Sequence, residues 1–291
     1  MTDRSLNVDV IVCVHNGLEF VGACLNSVAS SLGKDDALIV VDDGSDDPTQ
    51  RLCADFVSGH PQARLIRRPA ASGFTRAANA GLSESSAAYQ ILLNSDTVVP
   101  RGWLDKIVAC GESAPDIGLV GPLSNAASWQ SIPRLYDEHA QMAVNALPPE
   151  FDVERMDEEC ELLSAGLPYP RTSLLNGFCL AIKKQLRAEI GLLDEVNFPN
   201  GYGEENDYCC RTIDAGFALL VAIDTYVFHE KTKTYGSETR KALIRAGSEK
   251  LRAKHGRLRI ERAVRSMKEH PILVEMRRRY LAAMPLVPTT S

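Results

Sequence analysis

Two carboxylates, Asp42 and Asp43, stand directly after the apolar, β-branched run Ala37–Val41 and before Gly44. A carboxylate at such a strand end can accept hydrogen bonds from a base N–H or a ribose hydroxyl, and either bond would orient a nucleotide. A capped turn requires the same residue types. The pair by itself therefore predicts a nucleotide site and a structural turn equally well.

A second polar group, Asn94-Ser95-Asp96, ends the apolar run Tyr89–Leu93. Mg²⁺ and Mn²⁺ prefer oxygen ligands and often keep the phosphates of a bound nucleotide in their shell. Asp96 is therefore a candidate ligand for an ion that holds a diphosphate, although a capped turn would use the same residues. His229 could complete the shell through a neutral imidazole nitrogen, but a lone histidine is more often structural.

Three carboxyl groups lie within four positions at Glu204-Glu205-Asn206-Asp207, where a helix is predicted to begin after a glycine-flanked loop. Carboxylates are stabilised at a helix N-terminus, but capping requires fewer of them. Transfer of a group to a hydroxyl requires a base within hydrogen-bond reach of the O–H. Glu205 is the candidate for that base.

The segment Gly73–Gly81 places Arg76 and Asn79 three positions apart, on one face of a predicted helix. Arg76 could contact phosphate or the nucleotide. Asn79 could contact the nucleotide or neighbouring backbone. An exposed arginine beside a structural asparagine would give the same pattern.

The elements that must position these residues alternate between strand and helix. The predicted strands are Val8–Val14, Ala37–Val41, Arg64–Arg67, Tyr89–Leu93, Leu174–Lys183 and Leu219–Ala222. The predicted helices are Leu18–Ser30, Asp46–Val57, Thr75–Leu82, Pro100–Cys110, Gln185–Ile190 and Glu204–Ala215, with a loop-rich insertion over 124–170 that contains one or two helices. Repeated β–α–β units predict an α/β fold with a mainly parallel, Rossmann-like sheet, in which ligands bind outside the carboxyl ends of the strands. The two acidic strand ends are thus expected to meet at one crevice.

Charge is unevenly spread along the 291 residues, whose net charge is −6. Between Arg240 and Arg279 there are 14 Lys and Arg residues against four Glu residues, so a basic helical tail follows an acidic body. A solvated helix face is the favoured interpretation, and contact with anionic lipid headgroups is the functional one. Nucleic acid is not an expected partner, because the acidic body would repel phosphates.

Cysteine usage and hydropathy predict where the protein works. The eight cysteines include no C-x-x-C pair, which favours buried free thiols in a reducing compartment. No run approaches the roughly 20 apolar residues of a membrane span, and the polar start of the chain does not resemble a signal peptide. We therefore expect a cytoplasmic protein, at the inner face of the membrane if the tail binds lipid.

Three common enzyme signatures are absent from the sequence. The first strand is not followed by G-x-G-x-x-G, which argues against a dinucleotide enzyme. A P-loop motif, G-x-x-x-x-G-K-[ST], is also missing, as is the G-x-S-x-G elbow of many hydrolases.

The ordered set of motifs resembles family 2 inverting glycosyltransferases of GT-A fold. The matching segments are Val10–Gly17, Ile39–Ser45, Gly73–Gly81, Asn94–Asp96, Asn176–Phe178, Gly203–Arg211 and His229. The segment Asn94–Pro100 and the surroundings of His229 are most similar to bacterial rhamnosyltransferase-type members. The resemblance covers about residues 8–236. It implies a GT-A domain over 1–237, with a nucleotide-sugar-binding half (1–123) and an acceptor-side half (124–237), before the tail at 238–291.

The resemblance also implies a role for each matching residue. Donor-nucleotide contacts would come from Asp42, Asp43, Arg76, Asn79 and Ser95, with Asp43 on the base; Asp96 and His229 would bind Mn²⁺ or Mg²⁺; Glu205 would be the catalytic base; and Asn176, Gly177, Glu204 and Asp207 would lie on the acceptor side. Asn94 stands where many members have the first Asp of a D-x-D motif, so one charged ligand fewer should weaken metal binding. Glu205 stands where the family usually has Asp, so its reach is one methylene longer.

The expected activity is hexosyl or deoxyhexosyl transfer from a nucleotide-diphosphate sugar to a hydroxyl of a glycan or lipid-linked acceptor, as in polysaccharide biosynthesis. Two alternatives stay open. A sugar-phosphate nucleotidyltransferase would usually have a Gly-rich, basic phosphate loop near the first strand, and His15-Asn16-Gly17 is a poor one. A non-catalytic sugar-nucleotide-binding module is kept open by Asn94.

Overall fold

The computed structural model describes residues 4–230 and 237–283. The strands in these ranges are β1 (Val8–Val14), β2 (Ala37–Asp43), β3 (Ala63–Arg68), β4 (Tyr89–Asn94), β5 (Thr97–Val98), β6 (Ile117–Leu123), β7 (Arg171–Thr172), β8 (Cys179–Lys183), β9 (Ala218–Tyr226) and β10 (Phe228–His229). The helices are α1 (Leu18–Ala29), α2 (Asp47–Gly59), α3 (Phe74–Glu84), α4 (Trp103–Gly111), α5 (Val153–Ser164), α6 (Lys184–Ile190), α7 (Glu204–Asp214), α8 (Ser237–His255), α9 (Arg257–Lys268) and α10 (Pro271–Ala283). The predicted tail and domain boundary include residues 284–291 and 231–236, which lie outside the described residues.

Eight strands form one mixed sheet in the order β3-β2-β1-β4-β8-β6-β9-β7. The first four are parallel to one another, and β6 is parallel to β9. The predicted mainly parallel α/β fold is therefore confirmed. The strand β8 runs antiparallel to both of its neighbours, β4 and β6, so residues just before it enter at the edge where β1, β2 and β4 end.

The central strand β1 shows why the sequence folds in this way. Its β-branched residues are buried on both faces of the sheet, as a strand between two parallel partners requires. Its register sets Val14 beside Asp42 and Cys13 beside Asn94. Both polar strand ends identified in the sequence thus flank the end of β1.

The core has one layer on each face of the sheet. Val10 and Val12 of β1 point into the layer formed with α1, α2 and α4, and Ile11 points into the layer formed with α3, α5, α6 and α7. The second layer also buries Met267, Leu273, Met276 and Tyr280 from α9 and α10. The basic C-terminal helices therefore pack against the body through an apolar face, while arginines such as Arg252 and Arg262 stay exposed.

Several predicted boundaries differ from the structure for local reasons. The strand predicted over Leu174–Lys183 begins only at Cys179, because the Asn176 side chain accepts a hydrogen bond from Phe178 N and forms a turn. The helix predicted from Pro100 begins at Trp103, since Gly102 adopts a left-handed conformation with φ 74°.

The strand β6 and the helix α5 were not predicted as individual elements. The sequence of β6 contains Gly118, Gly121 and Pro122, which mask the strand pattern, yet the strand is fully buried beside β8 and β9. The helix α5 lies within the predicted loop-rich insertion. Its N-cap Asp152 accepts a hydrogen bond from Arg155 N at 2.8 Å.

Seven of the eight cysteines are buried, and Cys13 is half-buried; all are free thiols. Burial is the main reason that the pKa of Cys24 is raised to about 12. Among the described helices, none combines the length and apolar character that a membrane span requires.

The packing of α3 on β1 yields the first prediction. A Cβ on Gly81 would lie 2.3 Å from Ile11 Cγ2 and 3.1 Å from Val41 Cγ2. Gly81→Ala should therefore lower the free energy of unfolding by about 1–3 kcal/mol through overpacking, although alanine is the better helix former by ~1 kcal/mol. Chemical denaturation measures the change. The matched control is Gly22→Ala in α1, where the nearest atom would be Leu52 Cδ1 at 3.7 Å, and we expect no loss of stability there. Equal effects of the two substitutions would contradict the packing argument.

Candidate active site

Asp42 and Asp43 both organise the loops at the end of β2. Asp42 Oδ1 accepts a hydrogen bond from Ser45 N at 3.0 Å. Asp43 accepts hydrogen bonds from Ser72 N, Ser72 Oγ and Gly73 N at 2.8–3.1 Å, and Arg68 Nε lies 3.0 Å from Asp43 Oδ1. Both carboxylates are almost fully buried. Asp43 therefore fixes the loop that leads into α3, and its contact with a nucleotide base stays a prediction.

The two candidate residues of α3 have different surroundings. Arg76 is exposed. Asn79 is buried, donates to Leu193 O and Glu195 Oε2 at 3.0 and 2.9 Å, and accepts from Leu193 N at 3.0 Å. Of the two contacts predicted for Asn79, the structure shows the one with backbone, since its amide holds the loop that precedes α7.

Asp96 and His229 meet across the short antiparallel pair of β5 and β10. That pairing sets His229 opposite Thr97, and His229 Nε2 lies 3.2 Å from Asp96 Oδ1. Asn94 Nδ2 lies 3.4 Å from the same nitrogen. Asn94, Ser95 and Asp96 are half-buried at the carboxyl end of β4. The two predicted metal ligands are thus brought together although 132 positions separate them.

The sequence analysis missed Asn125, which holds the backbone of His229. Asn125 is buried; its Oδ1 accepts from His229 N at 2.7 Å and its Nδ2 donates to His229 O at 2.9 Å. The carbonyl of Asn125 in turn accepts from Asn145 Nδ2 at 2.9 Å. An asparagine in a loop has no periodic signal, so only the three-dimensional arrangement identifies it.

The donor set around His229 fits a divalent cation that shares its shell with a ligand. Within the described residues, three or more His, Cys, Asp or Glu side chains are not grouped closely enough to hold a metal alone. A carboxylate and an imidazole 3.2 Å apart nonetheless match the one or two protein ligands with which Mg²⁺ or Mn²⁺ binds substrate phosphates. The buried Nδ1 of His229 has no hydrogen-bond partner in the described part of the chain.

Glu204 and Glu205 form a close carboxyl pair at the start of α7. Gly203 N donates to Glu204 Oε2 at 3.0 Å and to Glu205 Oε2 at 3.2 Å, and Asn206 Nδ2 donates to Glu205 Oε1 at 2.6 Å. Burial raises the pKa of both carboxyls, and the negative charge of Glu205 raises the pKa of Glu204 further. The pair therefore holds a proton more tightly than isolated glutamates.

Asn176, Gly177 and Phe178 connect the two halves of this region. Asn94 N donates to Phe178 O at 2.9 Å, and the Phe178 ring stacks on the His229 ring with centroids 5.4 Å apart. On the other side, a Cβ on Gly177 would lie 3.2 Å from Glu205 Cβ. Asn176–Phe178 thus connect the Asp96–His229 pair to Glu205 through an unbroken chain of contacts.

A buried glutamine that the sequence analysis did not identify supports this connecting segment. Gln130 Oε1 accepts from Asn176 N at 2.6 Å, and Gln130 Nε2 donates to Pro122 O at 2.7 Å. The short 3-10 helix that contains Gln130 is held by Arg277 of α10, which donates to the carbonyls of Trp129 and Ser131.

Asp207 is a structural anchor. It is completely buried and is surrounded by Arg211 Nε at 2.9 Å, Lys254 Nζ at 2.7 Å and His255 Nε2 at 2.7 Å. All these partners belong to α7 and α8. Asp207 therefore joins the two helices.

The loop between β3 and α3, which ends at Gly73, also contacts the segment before α7. Thr75 Oγ1 donates to Phe198 O, and a Cβ on Gly73 would lie 2.3 Å from Pro199 O. The loops that contain Asp43, Asp96 and Glu205 are consequently linked through direct contacts at one edge of the sheet. This arrangement connects the carboxyl pair of Glu204 and Glu205 to a candidate cation site through a chain of direct contacts.

Comparison with known sequences identifies related proteins. Residues 9–129 match the family described as "Glycosyl transferase family 2". The "Pre-mycofactocin glycosyltransferase" of Mycobacterium tuberculosis is 26% identical over 221 residues, which are 75% of this chain and 43% of the relative. "Glycosyltransferase AglE" of Haloferax volcanii is 30% identical over 123 residues, 42% of this chain and 40% of the relative. The chain therefore spans less than half the length of these curated relatives.

Solved structures share the fold. The mannosyltransferase PcManGT from Pyrobaculum calidifontis, in complex with GDP-Man and Mn²⁺, superposes with a TM-score of 0.65 at 16% identity, covering 97% of this chain and 75% of the other. GalNAc-T7 with UDP, GalNAc and Mn²⁺ gives a TM-score of 0.62 at 17% identity, covering 92% and 59%. At these identities the likeness concerns the fold, which is GT-A. The match over residues 9–129 and the shared fold thus make the chain similar to glycosyl transferase family 2.

Proposed function

We propose that this protein transfers a hexosyl or deoxyhexosyl group from a nucleotide-diphosphate sugar to a hydroxyl of a glycan or lipid-linked acceptor. The observation that carries the proposal is the chain of contacts that links the Asp96–His229 pair, through Phe178 and Gly177, to Glu205. This link supports a base for the acceptor at Glu205 and a diphosphate site at the Asp96–His229 pair, with the sugar between them. The family and the ligands named for the two solved structures support a nucleotide-sugar donor.

The proposed reaction is a single displacement with inversion. Glu205 accepts the proton of the acceptor hydroxyl while that oxygen forms a bond to the anomeric carbon, and the bond from this carbon to the diphosphate oxygen breaks. The nucleoside diphosphate leaves with the bonding electrons. Asp96 and His229 would hold Mn²⁺ or Mg²⁺, which supplies charge stabilisation to the leaving diphosphate. Asn125 keeps His229 in place through its backbone.

Donor binding should require the Asp96–His229 pair when a divalent ion is present. We expect a nucleoside diphosphate with Mn²⁺ to raise the melting temperature, because a ligand at 100 times its Kd adds about 2.7 kcal/mol of stability. A screen of nucleoside diphosphates and their sugars, with and without Mn²⁺, measures the shift and identifies the base. The Mn²⁺-dependent part should disappear in Asp96→Asn and His229→Ala.

The control for this screen is Asp55→Asn, an exposed position on α2, which should keep the full shift. A Mn²⁺-dependent shift that survives both site substitutions would place the ion elsewhere. Pyrophosphate release from a sugar phosphate and a nucleoside triphosphate would instead favour the nucleotidyltransferase. Binding without transfer or donor hydrolysis would favour the binding module.

Glu205→Gln should reduce the rate of transfer by roughly 10²–10⁴-fold while donor binding survives, because the amide cannot accept the proton. Glu204→Gln should lose less activity, since an amide resembles the protonated form that burial favours at Glu204. The exposed substitution Glu189→Gln should leave the rate unchanged. Steady-state kinetics with donor and acceptor varied separately distinguishes the three variants.

The pH profile provides the second readout for the same prediction. A base must be ionised to act, so activity is lost as pH falls through the raised pKa of Glu205. The acid limb of kcat/KM should therefore lie above the ordinary glutamate value of 4.5. A limb below 4.5, or full turnover of the Glu205→Gln variant, would remove Glu205 from this role.

Contact with an anionic membrane surface is proposed for the exposed arginines of α8 and α9. These are Arg245, Arg252, Arg262 and Arg265. Basic residues near such a surface contribute about 1 kcal/mol each. Co-sedimentation with phosphatidylglycerol vesicles, but not with phosphatidylcholine vesicles, is the expected result, and replacing the four arginines by alanine should abolish it. Equal recovery of the protein in the supernatant with both lipids would refute this contact and the expected location at the inner face of the membrane.

A further inference from the structure

We propose that α8, within the basic tail, is a positioning element for the catalytic base: it fixes the turn at 201–203 and, through that turn, the Glu205 carboxylate. This inference rests on the proposed function, since it assigns Glu205 the role of base. It gives the tail a task beyond solubility or lipid contact. Three independent contacts between α8 and the segment 194–207 carry it.

The first contact is between the backbones of Gly247 and Tyr202. A Cβ on Gly247 would lie 1.7 Å from the carbonyl oxygen of Tyr202, so no residue larger than glycine fits there while the turn keeps its place. The turn itself is unusual, because Gly201, Tyr202 and Gly203 have φ values of 85°, 64° and 137°. The two glycines adopt positive φ freely, but the positive φ of Tyr202 persists where surrounding structure imposes it. The helix α8 is the surface against which this turn rests.

The second contact is a lysine that joins both ends of the segment. Lys254 Nζ lies 2.7 Å from Asp194 Oδ2 and 2.7 Å from Asp207 Oδ1. Asp194 accepts hydrogen bonds from the backbone N–H groups of Val196 and Asn197, so it shapes the start of the loop. Asp207 is in the first turn of α7, two residues after Glu205. One ammonium group therefore fixes the distance between the loop start and the helix that contains the base.

The third contact is apolar. Phe198 from the loop, Cys210 from α7, Leu251 from α8 and Ile260 from α9 form a separate buried cluster. The Phe198 ring also packs against Gly203, where a Cβ would lie 2.8 Å from the ring. This cluster joins the loop to the C-terminal helices without using either layer of the main core.

One hydrogen bond connects the turn that α8 supports to the carboxylate of Glu205. Gly203 N donates to Glu205 Oε2, so a displaced turn would withdraw this donor and move the carboxylate. The donor-side pair Asp96–His229 is held instead by β5, β10 and Asn125. Loosening α8 should therefore affect the chemical step more than the binding of the donor.

Gly247→Ala is the direct test, because it adds one methyl group at the contact and improves the helix propensity of α8. We expect kcat to fall by about 10²-fold, as for a misplacement of roughly 1 Å, with the KM for the donor changed less than about threefold. Hydrogen exchange of peptides covering 198–206 should become faster. The matched control Gly22→Ala, a helix glycine with room for a methyl group, should change neither readout.

Lys254 provides the second test if Gly247→Ala fails to fold. Lys254→Met should lower kcat and speed exchange at 198–206, and Lys254→Arg should restore both, because it keeps a cation between the two aspartates. Unchanged exchange at 198–206 in both Gly247→Ala and Lys254→Met would overturn the inference, as would a kcat within twofold of the wild type. Exchange is measured without substrates. A wild type that transfers no sugar would thus refute the proposed function, and the exchange result would still decide whether α8 fixes the turn.

Discussion

The rest of the structure depends on the direction of β8, which runs antiparallel to its neighbours in the sheet. Parallel strands deliver only their C-terminal ends to the ligand edge of a sheet, so a purely parallel arrangement would leave the opposite ends remote from it. Because β8 is antiparallel to β4 and β6, Asn176–Phe178 enter at that edge, directly beside Asn94. The segment that touches Glu205 and the segment that leads to Asp96 thereby become neighbours.

The polar residues of the matching motifs form two groups, which differ in whether the protein itself provides their hydrogen-bond partners. Asp43, Asn79 and Asp207 are buried, and the protein itself provides their hydrogen-bond partners. They hold the loops in place against the cost of burying polar groups. Asp96 and Glu205 are more accessible, and they lie where loops from different strands meet. A motif residue can therefore be essential for the shape of the site without contacting a substrate.

Much of the fold could be predicted because buried parallel strands appear in the sequence as continuous runs of apolar, β-branched residues. The β-branched run of β1 was located to the residue, and the polar strand ends followed from it. Residues 174–178 and β6 were not predicted correctly, since an asparagine-centred turn interrupts one run and glycine and proline obscure the other. The pairing of Asp96 with His229 could be proposed from their residue types and from the resemblance, whereas the short β5–β10 pair that brings them together could not. The contributions of Asn125, Gln130 and Gly247 depend on contacts between segments distant in sequence, which periodicity does not reveal.

The contacts of Gly247, Lys254 and Arg277 also set an order of assembly during synthesis. Every strand of the sheet and the helix α7 precede them in the chain. A ribosome-bound chain that has emerged only as far as β10 contains every strand of the sheet, yet its loop at 194–203 still lacks the surfaces that α8 and α9 provide. A chain at that stage thus holds the complete set of strands, while the helices that complete the second core layer and support the turn before Glu205 are still to come.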